Sequence, residues 1–186
     1  MSTISVSNLI PCLNLGCGKQ PIPNAINVDM YPAPGVDQVV DLNGPWPWAD
    51  GSVYHIFSSH VIEHVDDIIH FMREANRVLA VGGTMELRTP YGWDTAAMSD
   101  PTHKRPLYPS TFTAFCVHSY SHADPRRFNL QEDHSRWDFG FEIAGVTFNF
   151  RSWVKRLPFW RYYGFALAQV LINVISEFHI FFNKVK

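Results

Sequence analysis

The segment SSHVIEHV, Ser58–Val65, contains two histidines and a glutamate at a spacing that can bind a metal. His60, Glu63 and His64 fit the pattern H-x-x-E-H, in which two histidines and a glutamate on one helix form a zinc peptidase site. The pattern constrains only three residues, so it also arises by chance. Whether it binds a metal depends on the secondary structure around it.

A second group of residues has the types needed to bind an organic ligand. Gly16 and Gly18 flank Cys17 directly after an apolar run. Glycines in such a turn let backbone N–H groups approach a ligand closely, because no Cβ intervenes. Asp29 ends the next apolar run, where a carboxylate can accept hydrogen bonds from two ribose hydroxyls. Each feature alone also fits an ordinary turn or strand end.

The order of apolar segments predicts alternating strands and helices. A helix capped by Asp66 or Asp67 is predicted to end at Gly82 and Gly83. The candidate strands are Leu9–Leu15, Ala25–Asp29, Val36–Leu42, Val53–Ser59 and Thr84–Pro90. This order implies parallel strands, right-handed crossovers and a ligand crevice at the carboxyl ends of the strands.

This placement argues against the zinc peptidase. The histidine segment follows the fourth strand and precedes the helix cap, so His60 and His64 are not expected on one helical face. Such a site also needs a third ligand, and neither Glu132 nor Glu142 lies in a recognisable motif. The sequence therefore predicts no metal site.

Length and composition favour one globular domain, residues 1–186. The chain has 186 residues, of which 46% are hydrophobic and 17% charged. Its three cysteines show no C-x-x-C spacing, which indicates a reducing, cytoplasmic setting. Residues 151–186 carry six basic residues against one acidic residue, together with several aromatic side chains. This basic aromatic segment either makes a weak contact with a membrane surface or is a solvated edge beside an aromatic cluster.

Five ordered segments resemble the class I S-adenosylmethionine-dependent methyltransferases, in particular small microbial ones with a methyltransferase-11-like motif set. The segments are LNLGCGK, INVDM, VVDLN, DGSVYHIFSSHVIEHV and REANRVLAVGGTMELRTP. The resemblance implies a Rossmann-like α/β fold: a doubly wound, mostly parallel seven-stranded sheet with an antiparallel last strand. Phe141–Phe150 and Glu177–Lys186 are then the last two strands. Residues 1–90 would form the cofactor-binding half, and 91–186 the acceptor-side half with a C-terminal helix.

The resemblance also implies S-adenosylmethionine as cofactor and assigns roles by position. Gly16 and Gly18 would line its methionine part, Asp29 would hold the ribose, and Ser59 and His60 would lie near the sulfonium. The full implied set is Leu15, Gly16, Cys17, Gly18, Asp29, Met30, Asp41, Leu42, Ser59 and His60. Asp41 and Leu42 would flank the adenine. The family usually has an acid where Asn14 stands.

The dehydrogenase alternative is disfavoured by spacing. Asp29 follows Gly18 by 11 positions, whereas a dinucleotide-binding fold has about 20. The first helix must therefore be very short.

The acceptor is expected to be a small molecule, such as a saccharide or secondary metabolite, and a hydroxyl group of it would be methylated. No nucleic acid is expected as a partner. Methylation of a hydroxyl requires removal of a proton, and His103 or His64 is the predicted base. Lys104 and Arg105 would bind a negatively charged group of the acceptor. Two alternatives remain: a cofactor-binding protein without catalysis, and the zinc peptidase.

Overall fold

The computed structural model describes residues 10–117, 139–157, 160, 164 and 173–186. Among these residues it contains a seven-stranded sheet in the order β3-β2-β1-β4-β5-β7-β6. The strands are β1 (Leu13–Leu15), β2 (Ile26–Asp29), β3 (Gln38–Val39), β4 (Val53–Ser59), β5 (Leu79–Pro90), β6 (Phe141–Phe150) and β7 (Ile175–Lys184). The helices are α1 (Ile68–Val78), α2 (Thr95–Ser99), α3 (Ser152–Lys155) and a 3₁₀ helix at Pro109–Phe115.

The strand directions confirm the predicted fold class. β1 to β5 pair in parallel, whereas β7 lies between β5 and β6 and is antiparallel to both. The chain runs outward from β1 to β3 and then returns to place β4 on the other side of β1. The carboxyl ends of β1 and β4 therefore flank a topological switch point, where open α/β sheets bind ligands.

The core explains why these segments form strands and helices. Leu13 and Leu15 of β1 are fully buried, as expected for a central parallel strand covered on both faces. One face of α1 is also buried, through Phe71, Met72, Ala75 and Val78. These residues belong to one cluster with the apolar residues of β5 and β7. Burial of this stripe stabilises α1 against the sheet.

Helix α1 begins as predicted but ends earlier. Asp67, one of the two predicted caps, accepts hydrogen bonds from the N–H groups of Ile69 and His70. The prediction that the helix extends to Gly82 and Gly83 is wrong, because β5 starts at Leu79 and Leu79 pairs with Val53 of β4. Helical periodicity does not register a distant strand, and here that pairing determines where the helix ends.

The strands begin and end within five residues of their predicted bounds: β5 begins five residues before the predicted Thr84, and β1 begins at Leu13 rather than Leu9. β4 and β6 have the predicted bounds, while β7 begins and ends two residues before the predicted Glu177–Lys186. The predicted third strand, Val36–Leu42, is only Gln38–Val39, because just two of its residues pair with β2. Turns replace a helix between β1 and β2. Leu9 and most of the predicted C-terminal helix lie outside the described residues, and no described helix has the length and apolarity to span a membrane.

Candidate functional site

The turn after β1 is packed tightly against the loop that follows β4. Gly16 has φ +69°, and a Cβ at this position would lie 2.1 Å from Val61 Cγ2. Gly18 has φ +51° and open space around it. Both conformations favour glycine, and only Gly16 also requires the absence of a side chain. The predicted glycine turn therefore exists at the switch point.

Asp29 closes this turn from the end of β2. Its Oδ2 accepts a hydrogen bond from the Gly18 N–H at 2.8 Å, and its Oδ1 accepts one from the Tyr31 N–H at 3.1 Å. Each carboxylate oxygen has a further lone pair for a ligand hydroxyl. The structure thus brings together two residues that the sequence assigned to one ligand. Next to them, burial raises the pKa of the Cys17 thiol, with a smaller effect from Asp29, so Cys17 is a neutral side chain.

Asn14 forms a buried hydrogen-bond network with the turn that follows β1 and with β2. It is buried, and its Nδ2 donates to Asn27 Oδ1 at 2.9 Å and to the Gln20 carbonyl at 3.2 Å. Asn27 in turn accepts from the Ile22 N–H and donates to Asp37. Sequence reasoning missed this role of Asn27 and Asp37. The network shapes the turn between β1 and β2 without placing a carboxylate at position 14.

Asp41, one of the residues expected near the adenine, is linked through Asn43 to the loop after β4. Asp41 Oδ1 accepts hydrogen bonds from the backbone and side chain of Asn43. Asn43 Oδ1 accepts from the Asp66 N–H at 2.8 Å. Leu42 is buried, whereas Met30 is exposed. The segment around Asp41 is therefore tied to residues 60–67, here called the β4 exit loop.

The β4 exit loop consists of turns, so the H-x-x-E-H residues do not share a helical face. His60 has φ +56° and lies between two carboxylates: its Nδ1 is 3.3 Å from Glu63 Oε1, and its Nε2 is 3.1 Å from Glu177 Oε1. Glu63, more than Glu177, raises the pKa of His60. Glu177 comes from β7, and sequence reasoning missed it because nothing local links it to β4. His60 is therefore held between Glu63 of its own loop and Glu177 of β7.

His64 instead meets His103. Their ring centroids are 4.7 Å apart and the rings are steeply inclined. His64 Nδ1 lies 3.3 Å from the Thr102 carbonyl, and His103 Nδ1 lies 3.0 Å from the Ala97 carbonyl. A carbonyl only accepts hydrogen bonds, so these contacts place a proton on Nδ1 of each ring and leave Nε2 of the neutral ring with its lone pair. The two predicted bases thus form one pair.

The segment Asp100–Arg105, here called the acceptor segment, is anchored to the β4 exit loop. The Lys104 N–H donates to the Glu63 carbonyl at 2.8 Å. Lys104 Nζ lies 3.0 Å from Asp66 Oδ1, and the Arg105 guanidinium donates to the carbonyls of Val65 and Asp66. Both cations therefore hold the two loops together, in addition to lining the space beside them.

That space is a cavity that is open to solvent, and its volume of about 360 Å³ is within the size range of small-molecule sites. Its lining combines aromatic and apolar side chains with polar ones, including Trp93, Met98, Tyr108, His103, Lys104 and Arg105. One imidazole of the histidine pair therefore faces a space large enough for an organic acceptor.

Comparisons with known proteins agree on the fold. A family model described as a methyltransferase domain matches residues 23–87. No curated protein matches the sequence. An S-adenosylmethionine-dependent methyltransferase from Archaeoglobus fulgidus has a similar structure, with a TM-score of 0.65 and 14% identity over 95% of this chain and 86% of the other.

Two further structures show the chemical range of the fold. Geranyl diphosphate C-methyltransferase from Streptomyces coelicolor A3(2), solved with Mg²⁺, geranyl diphosphate and S-adenosylhomocysteine, gives a TM-score of 0.57 and 11% identity over 96% of this chain and 73% of the other. The [4+2]-cyclase SpnF gives a TM-score of 0.57 and 17% identity over 96% and 76%. At these identities the likeness establishes the fold.

Proposed function

We propose that this chain, whose domain match and fold support a class I S-adenosylmethionine-dependent methyltransferase, methylates a hydroxyl of a small molecule bound beside His64 and His103. The contact between Asp29 and Gly18 is the observation that carries the cofactor half of this proposal. The acceptor half rests on the cavity that His103 lines.

The turn at the switch point fits the cofactor. A Cβ on Gly16 would collide with Val61, so the narrow cradle requires glycine, and Asp29 keeps lone pairs for two ribose hydroxyls. Leu15, Cys17 and Gly18 would contact the methionine part through the same turn. Met30, Asp41 and Leu42 would enclose the adenine, with Ser59 and His60 near the sulfonium. Residues 1–90 would thus bind the cofactor and 91–186 the acceptor.

Calorimetric titration with S-adenosylmethionine and S-adenosylhomocysteine tests the cofactor half. We expect Asp29→Ala to weaken binding by at least about tenfold, since hydrogen bonds to a charged acceptor contribute roughly 1.5–3 kcal/mol each. Asp50→Ala is the control, because Asp50 is an exposed carboxylate paired with Arg77. Equal affinities in wild type and Asp29→Ala would refute the assignment of Asp29.

Methyl transfer to a hydroxyl requires alignment and loss of one proton. S-adenosylmethionine, when bound, would supply an activated methyl group: the acceptor oxygen would bond to the methyl carbon as the carbon–sulfur bond breaks, leaving a neutral thioether. The hydroxyl proton passes to Nε2 of His103 or His64, whose Nδ1 is held by a carbonyl. Lys104 and Arg105 would attract a negatively charged group on the acceptor.

An acceptor panel assayed for S-adenosylhomocysteine release tests the acceptor half. With an accepted substrate, His103→Ala should lower turnover by about 10²- to 10⁴-fold while cofactor affinity stays the same. Lys104→Ala and Arg105→Ala should raise the KM for an anionic acceptor. Turnover in His103→Ala within about threefold of wild type would exclude His103 as the base, and His64→Ala would then be the variant to measure.

A cofactor-binding protein without catalysis is the second candidate. The structural likeness to a cyclase supports only the narrower point that a protein with this fold need not transfer a methyl group. Tight cofactor binding with no product release across the panel would support it. A cytoplasmic location, a small-molecule rather than nucleic-acid partner, and weak contact of the C-terminal basic segment with a membrane surface are further parts of our proposal.

A further inference from the structure

We propose that Glu63, His64 and His103 bind a divalent metal ion of the zinc class. Each residue offers one ligand atom, and these atoms all lie within 4.8 Å of one another. The sequence predicted no metal at His60, Glu63 and His64. The structure gives a different set of ligands. His60 contacts Glu177 through Nε2, whereas His103, which lies in the acceptor segment, packs against His64.

The two histidines are oriented as metal ligands usually are. In metal sites the ring nitrogen that does not bind the metal commonly donates to a carbonyl, which fixes the tautomer and the ring orientation. His64 and His103 each direct Nδ1 to a backbone carbonyl, of Thr102 and Ala97 respectively. Thr102 Oγ1 also lies 3.1 Å from His64 Nδ1 and is itself within 2.6 Å of Asp100 Oδ1, to which it donates. Both Nε2 atoms are therefore left as electron-pair donors.

Glu63 supplies a buried negative charge at the same place. Its side chain is 2% exposed, and its Oε2 accepts a hydrogen bond from the Thr89 hydroxyl at 3.1 Å. Its Oε1 is buried and lies 3.3 Å from His60 Nδ1, an ion-pair contact that does not meet hydrogen-bond geometry. A buried carboxylate is costly unless cations or donors compensate its charge. A bound metal ion would add to the compensation that His60 gives.

The loops that carry the ligands are already joined. The Lys104 N–H donates to the Glu63 carbonyl, so positions 63 and 103 are held at a fixed separation. Asp100 Oδ2 lies 3.9 Å from His103 Nε2 and adds negative charge beside the cluster. Zinc ligands at about 2.0–2.2 Å from the ion lie roughly 3.4 Å apart. Side-chain rotations that bring the ligand atoms closer by up to about 1.4 Å would therefore complete the site.

The donor set selects the class of metal. Two imidazoles and one carboxylate suit zinc, whereas magnesium and calcium prefer oxygen ligands. Three protein ligands leave a fourth position open, and His103 lines the cavity assigned to the acceptor. A hydroxyl bound at that position would ionise more readily. This role of the metal in methyl transfer rests on the proposed function. With a metal bound, His64 and His103 would be its ligands, and they would not act as the bases that accept the hydroxyl proton. Metal binding itself does not depend on that function.

The test is metal binding by the full chain after removal of metals with a chelator. We expect calorimetry and elemental analysis to give one zinc per chain, and cobalt to give the visible absorption of a low-coordinate site. Glu63→Gln, which preserves shape, and His103→Ala should each weaken zinc binding by at least about tenfold. Thermal unfolding of each metal-free variant would show whether it is folded.

Two control variants separate this site from other histidines. His60→Ala should keep its zinc, whereas a site built on the H-x-x-E-H residues would lose it. His179→Ala, a partly buried histidine on β7, should also keep its zinc. Absence of stoichiometric zinc and of cobalt absorption in folded wild type, or undiminished binding in both Glu63→Gln and His103→Ala, would overturn the proposal.

Cofactor titration of the same metal-free protein distinguishes the two proposals. Binding of S-adenosylmethionine without zinc binding would refute only the metal site. Zinc binding without cofactor binding would refute only the proposed function.

Discussion

Gly16 is the position where the smallest addition should have the largest effect on the cofactor site. Its backbone has φ +69°, and an added Cβ would lie 2.1 Å from Val61 Cγ2. Gly18, two residues later, has φ +51° but no atom within 4 Å of an added Cβ. The two glycines therefore separate backbone strain from steric exclusion.

Gly16→Ala should destabilise the chain by about 1–3 kcal/mol and weaken S-adenosylmethionine binding, because the β4 exit loop must move away from the turn. Gly18→Ala is the matched control and should show only the cost of a left-handed alanine, about 1 kcal/mol. Urea unfolding and calorimetry measure both effects. Equal losses of stability and affinity in the two variants would contradict the close packing of Gly16 on Val61.

At the scale of elements, α1 is attached to the loop before β4 by a partly buried ionic network. The Arg77 guanidinium donates to both oxygens of Glu74 and to the carbonyls of Trp46 and Trp48. The Trp46 N–H donates to Glu74 at 2.7 Å. Arg77, as the principal partner, lowers the pKa of Glu74 below its ordinary value of 4.5. The network fixes the loop before β4 against the helix after it.

Glu74→Gln should lower the free energy of unfolding at neutral pH by about 1–3 kcal/mol. Because the folded-state pKa of Glu74 is depressed, its contribution is present above the ordinary pKa of 4.5 and is lost as the pH falls through the folded-state value. The difference between wild type and Glu74→Gln should therefore shrink in acid. Urea unfolding over a series of pH values measures this change.

Asp50→Asn provides the control for that series. Asp50 also pairs with Arg77, but its side chain is 81% exposed, and solvent weakens such pairs to roughly 0–1 kcal/mol. A pH-independent difference between wild type and Glu74→Gln would show that the Glu74 carboxylate is not stabilised by folding.

For the whole molecule, the acceptor side depends on contacts between distant parts of the chain. Asp94 is fully buried at the start of α2, and Arg151, which follows β6, donates to it from Nε at 2.9 Å. Asn173, before β7, accepts from the Thr95 N–H at 2.6 Å and donates its own N–H to the Trp93 carbonyl. The β6–β7 pair therefore holds the segment that carries one wall of the cavity.

Arg151→Ala should destabilise the fold by about 1–3 kcal/mol, because it leaves the buried Asp94 carboxylate without its cation. The value is below that of a fully buried pair, since Arg151 is 40% exposed and solvent replaces part of the interaction. The KM for the acceptor should rise, while cofactor affinity stays unchanged. Lys155→Ala, an exposed cation on α3, should do neither, and matching results for the two variants would contradict this role of Arg151.

The sequence by itself determined the elements whose signals are local. β4 lies where its apolar segment predicted it, β6 lies where the family resemblance placed it, and Asp67 caps α1 as predicted, because strand and capping signals are carried by neighbouring residues. The glycine turn and Asp29 were also found together, since consecutive parallel strands bring their carboxyl ends to one edge of the sheet. The turn character of the β4 exit loop followed from its position between a strand and a cap.

Tertiary structure decided everything that requires two distant segments to meet. Leu79 was expected in the helix, but it pairs with Val53 and belongs to β5. β3 contains only the two residues that pair with β2. His60 was expected near the sulfonium, but only folding showed its contact with Glu177, and only folding placed His64 on His103. Such contacts depend on how segments from different parts of the chain pack together. Neither the periodicity nor the composition of one segment indicates which distant segment it will contact.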